Sequence, residues 1–267
     1  MEKIHFISGL PRSGSTLLGA LLRQNPRFHA GMSSPIASMF CQMQNIMSGR
    51  NEYHVFIDDA KREAILRGIF CNYYGDLSPD TVVFDTNRAW SSKLHALNRL
   101  FPSARVICCV RSLVWVIDSI ERIVQKNSLE PSRMFNFESG GNVFTRAETL
   151  NAPNGLIGAP YAALKEAFFG EHKNKIVLLT YDSLAKEPTQ AMRSIYEFLE
   201  EEPYEHDFEH VEFDADEFDI RLGTPGLHRV ASRVEWRERE SVLPPDLIAR
   251  YVKSAFWMDC QSDVRVI

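Results

Sequence analysis

The chain has 267 residues, 45% of them hydrophobic and 24% charged, which is the composition of an ordinary globule able to bury a sizeable core. Thirty Lys and Arg against 35 Asp and Glu leave a net charge of −5, which excludes a protein that coats nucleic acid by charge alone. The five cysteines form no Cys/His cluster with metal-ligand spacing, residues 1 to 30 hold no basic segment followed by an apolar stretch, and no run reaches the ~18 apolar residues of a membrane span; reduced thiols, no metal and a soluble cytoplasmic chain without a transmembrane segment are expected.

Ile4 to Ile7 is a short apolar run without alternation, the pattern of a buried parallel strand. After it, Leu17, Leu18, Leu21 and Leu22 recur at helical spacing until Pro26. Asp58 and Asp59 are placed to cap a helix running to about Tyr74, and Thr81 to Phe84 reads as a second strand. Ala89 to Leu100 suggests a helix leading into a third strand, Arg105 to Val110. Behind a Ser112 cap, Leu113, Val116, Ile117, Ile120 and Val124 mark the next helix. Pro160 to Phe169 suggests a helix before the fourth strand, Lys175 to Thr180. Strand-then-helix repetition predicts an α/β fold, a parallel sheet flanked by helices. No repeat or low-complexity linker interrupts the chain, so a single domain over residues 1–267 is expected. Glu197 to Asp219 is acidic, whereas Arg221 to Arg239 is rich in arginine. The two stretches read as solvated faces pairing with one another, with some arginines left for an anionic ligand.

Between the first strand and first helix lies Gly9-Leu10-Pro11-Arg12-Ser13-Gly14-Ser15-Thr16. Such a loop curls backbone N–H groups around a phosphate at the positive end of the helix dipole. A nucleoside-triphosphate loop reads G-x-x-x-x-G-K-[ST], with Lys on the terminal phosphates and the hydroxyl on Mg²⁺. Here Ser15 holds the lysine position, so the loop suits a phosphate carried by a different nucleotide, with Arg12 supplying a planar fork. A second anion site is suggested by Arg111, which ends the third strand, and Ser119 on the following helix. Ser112 and Ser119 are seven residues apart and share a helix face, so guanidinium and hydroxyl can converge on one anion.

Together these motifs resemble the sulfotransferases that use 3′-phosphoadenosine 5′-phosphosulfate (PAPS), which have a P-loop nucleoside-triphosphate-hydrolase-like fold. ISGLPRSGSTLL, Ile7 to Leu18, is similar to their 5′-phosphosulfate loop, and Val110-Arg111-(x7)-Ser119 to their 3′-phosphate motif. Asn25-Pro26, Leu100-Phe101-Pro102, Tyr181-x-x-Leu184 and Glu187-Pro188 match the family's layout, that of the tyrosylprotein sulfotransferases particularly. The resemblance implies that Pro11, Arg12, Ser13, Gly14, Ser15 and Thr16 bind the 5′-phosphosulfate, that Arg111 and Ser119 bind the 3′-phosphate, and that Tyr181 lies near the nucleotide. It also implies a PAPS co-substrate, 3′,5′-ADP as product and no Mg²⁺, since PAPS has no β- or γ-phosphate. Gly223 to Val230 sits where the family places a flexible segment closing over PAPS, with His228 and Arg229 as its candidate contacts.

The sequence departs from that pattern around the chemistry. The base of the tyrosylprotein sulfotransferases, a Glu shortly after the first helix, has no counterpart in Gly31-Met32-Ser33-Ser34-Pro35, and where a lysine usually follows the second strand this chain reads Asp85-Thr86-Asn87-Arg88. The catalytic candidates are therefore Arg12 for charge, Arg88 in place of the lysine, and Asp85 or His228 as the base that takes the proton of an acceptor hydroxyl. Asp85 is attractive because a strand-end carboxylate faces the ligand crevice of an α/β sheet. A peptide tyrosine, a small alcohol or a sugar are the acceptor classes, and self-association is left open. Two alternatives stand: a P-loop kinase with Asp85 ending a Walker-B-like strand, and a nucleotide-binding module without chemistry.

Overall fold

A computed structural model of the chain describes residues 3–50, 52–129, 141–221, 223–259 and 262–267. Five strands, β1 (Ile4–Gly9), β2 (Phe28–Ala30), β3 (Val82–Thr86), β4 (Val106–Val110) and β5 (Ile176–Thr180), form one parallel sheet in the order β2-β3-β1-β4-β5. Four of them are the apolar runs expected from the sequence. The fifth, β2, is a three-residue segment, too short to show a pattern of its own.

The strands are buried along almost their whole length because both faces of the sheet are covered, which is why they read as continuous Val, Ile, Leu and Cys rather than as alternation. Successive side chains feed two cores. Phe6, Val83, Val106, Cys108 and Leu178 pack on one face; Ile7, Phe84, Ile107, Cys109 and Leu179 pack on the other.

The helices are α1 (Ser15–Leu22), α2 (Ile36–Ile46), α3 (Asp59–Tyr73), α4 (Leu94–Leu100), α5 (Leu113–Lys126), α6 (Val143–Asn151), α7 (Gly158–Phe169), α8 (Tyr181–Lys186), α9 (Pro188–Leu199), α10 (Asp216–Arg221) and α11 (Pro245–Tyr251), with a last turn over Phe256–Asp259. α1 and α9 cover the second face through Leu18, Leu21, Ile195 and Tyr196. The first face is covered mainly by α2, α3, α4, α5 and α7. Asp58 caps α3 as its sequence position predicts, its carboxylate accepting the Lys61 N–H at 2.8 Å. The helix expected over Ala89 to Leu100 is split: a 3₁₀ segment, Arg88–Lys93, precedes α4. Beyond β5, Val266 bridges to Leu178 in parallel and covers that edge.

Cys41, Cys71, Cys108 and Cys109 are free thiols, and Cys260 lies outside the described residues. Among the described residues no helix is long and apolar enough to cross a membrane.

The strand order positions the site. From β1 the chain turns toward β2, and from β4 it turns the other way toward β5. The crevice between the carboxyl ends of β1 and β4 is thus the topological switch point, where α/β sheets bind ligands.

Candidate active site

The loop from Gly9 to Thr16 leaves β1 at this crevice. Gly9 (φ 108°) and Gly14 (φ 95°) adopt left-handed backbone, and a Cβ on Gly9 would stand 2.1 Å from the Cys109 carbonyl oxygen, so only glycine fits against β4. Arg12 is also left-handed (φ 57°), a conformation costly for a residue with a side chain. Its guanidinium is tied down: Nε donates to Ser119 Oγ at 3.1 Å, and Nη1 donates to the Leu227 carbonyl. Burial and the nearby Arg111 lower its pKa to about 10, which leaves it charged at neutral pH.

Pro11, Arg12, Gly14, Ser15 and Thr16 all line a cavity of about 870 Å³. Ser13 does not. Its hydroxyl is buried and lies 2.5 Å from the Leu10 carbonyl and 2.9 Å from that of Cys109, so it closes the turn and only its backbone N–H is left for a ligand.

Arg111, Ser119 and Tyr181 line the same cavity. Arg111 lies over the Tyr181 ring, 4.0 Å from its centroid, and its Nη1 reaches the Arg12 carbonyl at 3.5 Å. Arg111 Nε is buried with no hydrogen-bond partner among the described residues, an orphaned donor beside the phosphate loop. Gly14 contributes to this corner too, because a Cβ there would meet the Tyr181 ring at 3.1 Å.

The segment from Gly223 to Arg239 forms the other wall. His228 and Arg229 line the cavity, and His228 is clamped by Asp219, a residue the sequence reading did not single out. Asp219 is 1% exposed; its Oδ1 accepts from His228 Nδ1 at 2.5 Å and its Oδ2 from the His228 backbone N–H at 2.8 Å. With the carboxylate accepting, Nδ1 carries the proton and Nε2 keeps its lone pair. Burial lowers the His228 pKa below the ordinary 6.5, opposed by Asp219 and aided by Arg12 and Arg88, so the imidazole is neutral and able to accept a proton at neutral pH. One carboxylate in an acidic stretch carries no mark of this role. The buried Thr224 Oγ1 is likewise without a partner and lines the cavity.

Asp85 is a correction. The strand runs one residue further than expected, to Thr86, and the Asp85 side chain points to the face of Val83 rather than out of the sheet edge. It is fully buried, accepts from Tyr74 Oη and Trp90 Nε1 at 2.7 Å each, and does not line the cavity. Burial pushes its pKa up while hydrogen bonds from Ser34, Tyr74 and Trp90 pull it down. A carboxylate sealed in this way neither takes a proton from an acceptor nor ligates Mg²⁺ as a Walker-B residue, and it forms no ion pair with Arg88. Arg88 itself does line the cavity.

The expected pairing of acidic and basic segments is partial: Arg233 pairs with Glu209 at 3.0 Å, but Arg239 pairs with the buried Asp118 of α5 at 2.7 Å. Arg12, Arg88, Arg111 and Arg229 face the cavity with no carboxylate partner among the described residues. Four guanidinium groups on one cavity of an acidic protein select an anionic ligand.

A family model described as the sulfotransferase family matches residues 5–206. The chain belongs to the sulfotransferase family. This sulfotransferase is similar in structure to the sulfotransferase domain of the Synechococcus PCC 7002 olefin synthase, at 19% identity over 97% of this chain and 95% of that one, with a TM-score of 0.55. It is also similar to the sulfotransferase domain from the curacin biosynthetic pathway (18% identity, 77% of this chain and 76% of that one, TM-score 0.52). A third similar structure is a sulfotransferase from Alicyclobacillus acidocaldarius (14% identity, 83% and 91%, TM-score 0.51). At these identities the structures establish the fold. A comparison with curated protein sequences found no match. The tyrosylprotein subtype suggested by the sequence is not distinguished by any of these matches.

Proposed function

We propose that this sulfotransferase takes its sulfuryl group from PAPS and delivers it to an acceptor hydroxyl. The supporting observation is Arg111: its buried, unpartnered Nε stands at the head of β4, over Tyr181 and beside a phosphate loop without lysine. In this reading Arg111 and Ser119 hold the 3′-phosphate, the N–H groups of the loop from Pro11 to Thr16 hold the 5′-phosphosulfate, and Arg229 adds charge from the opposite wall.

Bound PAPS would supply the sulfuryl group and leave as 3′,5′-ADP. The acceptor oxygen forms a bond to sulfur as the bond between sulfur and the 5′-phosphate oxygen breaks, and His228 Nε2 takes the hydroxyl proton. Arg12 has two of its N–H groups committed to Ser119 and Leu227, and the remaining donors face the charge that builds on the transferring group and the leaving phosphate. Arg88 supports the same charge from the end of β3. Asp219 keeps His228 in the tautomer that the step requires. The cavity volume falls within the range of about 300–1,000 Å³ usual for small-ligand sites.

The test of the nucleotide assignment is calorimetry with 3′,5′-ADP and 5′-AMP. The wild-type protein should prefer 3′,5′-ADP, and Arg111→Ala should lose most of that preference. Equal affinities in the wild-type protein would overturn the assignment. Acceptor class is then read by offering labelled PAPS with tyrosine peptides, small alcohols and sugars.

A further inference from the structure

We propose that His95, Glu171 and His172 form a binding site for a divalent transition-metal ion of the zinc, nickel or copper class, separate from the catalytic cavity. His95 is the second residue of α4, while Glu171 and His172 follow the end of α7 on the way to β5. His95 lies 76 residues before the adjacent Glu171 and His172, so no motif of fixed spacing announces them. The fold brings one ligand atom of each to within 4.8 Å of the others.

Three features favour a metal over a chance cluster. First, the two imidazole rings stand 4.5 Å apart between centroids at 67°, an edge-to-face approach in which two nitrogens can converge on one point. Ligand atoms on a tetrahedral zinc, with bonds near 2.1 Å, lie about 3.4 Å apart. The exposed His95 and Glu171 need close at most about 1.4 Å to reach that arrangement. Second, none of the three side chains is engaged in a hydrogen bond or ion pair with another described residue, so their lone pairs are uncommitted. Third, the neighbouring ammonium groups are held elsewhere. Lys93 donates to Gln44, Lys173 pairs with Asp263, and Lys175 donates to the Pro102 carbonyl. No cation of these neighbours competes for the Glu171 carboxylate.

The donor set names the class of ion. Two imidazoles and a carboxylate suit zinc, nickel and copper, whereas calcium and magnesium require mostly oxygen ligands. With three protein ligands, two of them exposed, water completes the coordination and the ion exchanges readily. None of the three residues lines the catalytic cavity, so the ion has no part in sulfuryl transfer; it would clamp α4 to the segment joining α7 and β5.

The experiment titrates tag-free protein with Zn²⁺ by calorimetry and follows melting in parallel. One equivalent of Zn²⁺ should bind, and at about 100 times the dissociation constant it should raise Tm by about 5–10 °C. Mg²⁺ and Ca²⁺ should do neither. His95→Ala and His172→Ala should each weaken Zn²⁺ binding at least tenfold, while His210→Ala, at an exposed histidine paired with Asp207, should leave it unchanged. His95 is exposed and His172 half-buried, and circular dichroism of both variants checks that they fold. Failure of the wild-type protein to bind Zn²⁺ at millimolar concentration, or undiminished binding by a His95→Ala/His172→Ala double variant, would overturn the proposal.

Discussion

One buried carboxylate holds both the ring and the main chain of His228, and its grip on Nδ1 leaves Nε2 free. Asp219 Oδ1 and Oδ2 accept from the ring Nδ1 and the backbone N–H of the same residue, so ring and main chain are fixed together. If His228 is the base, kcat/KM should rise with pH through a transition centred below 6.5, because burial, Arg12 and Arg88 lower its pKa. His228→Gln should remove that limb and cut turnover by about 10²–10⁴. Asp219→Asn makes a different forecast. The carboxylate raises the His228 pKa, so its loss should move the limb to lower pH while the plateau falls, as the wrong tautomer becomes populated. A variant that lost only stability would leave the limb where it was. Sequence alone puts Asp85 first as the base and His228 second. Asp85 ranks higher there because its strand reads as ending at Phe84; the donors around it, Ser34, Tyr74 and Trp90, lie outside that strand and only the fold brings them in.

At the scale of elements, legibility followed how much of a role is written in local pattern. The four apolar runs, the Asp58 cap and the glycine-bounded loop each depend on neighbouring residues, and each was readable. β2 was not, because its three residues owe their strand conformation to pairing with β3 rather than to propensity. The joining of α5 to the far wall was also hidden. Asp118, fully buried on α5, accepts from Arg122 Nε at 3.0 Å and from the Val242 N–H at 2.8 Å and forms an ion pair with Arg239 Nη2 at 2.7 Å. It thereby pins residues 239–242 to the helix that presents Ser119 to the cavity. Asp118→Ala would strip the carboxylate from all three partners. It should cost about 1–3 kcal/mol in urea unfolding, since the arginines left behind are partly exposed, and nucleotide affinity should fall because the wall carrying Arg237 and Arg239 is released. A loss below about 1 kcal/mol would show that the wall is held by other contacts.

Across the whole molecule, charge is separated: the chain is acidic by five charges, yet one cavity gathers four arginines without carboxylate partners among the described residues. Concentrating positive charge at the switch point of the sheet costs stability in the empty protein, because Arg12 and Arg111 repel one another and both are partly desolvated. An anionic ligand relieves that cost, so binding and folding are coupled. At about 100 times its dissociation constant, 3′,5′-ADP should stabilise the fold by about 2.7 kcal/mol. For a chain of this size that corresponds to a rise in Tm of about 5–10 °C. The rise should be the same with and without Mg²⁺, since protein groups supply the counter-charge, and it should shrink as salt screens the cavity. ATP with Mg²⁺ should give a smaller shift, because Ser15 stands where a triphosphate loop has its lysine. A scan in which ATP with Mg²⁺ stabilised the protein and 3′,5′-ADP did not would reverse the reading of the cavity as a PAPS site, while leaving the fold and the family untouched.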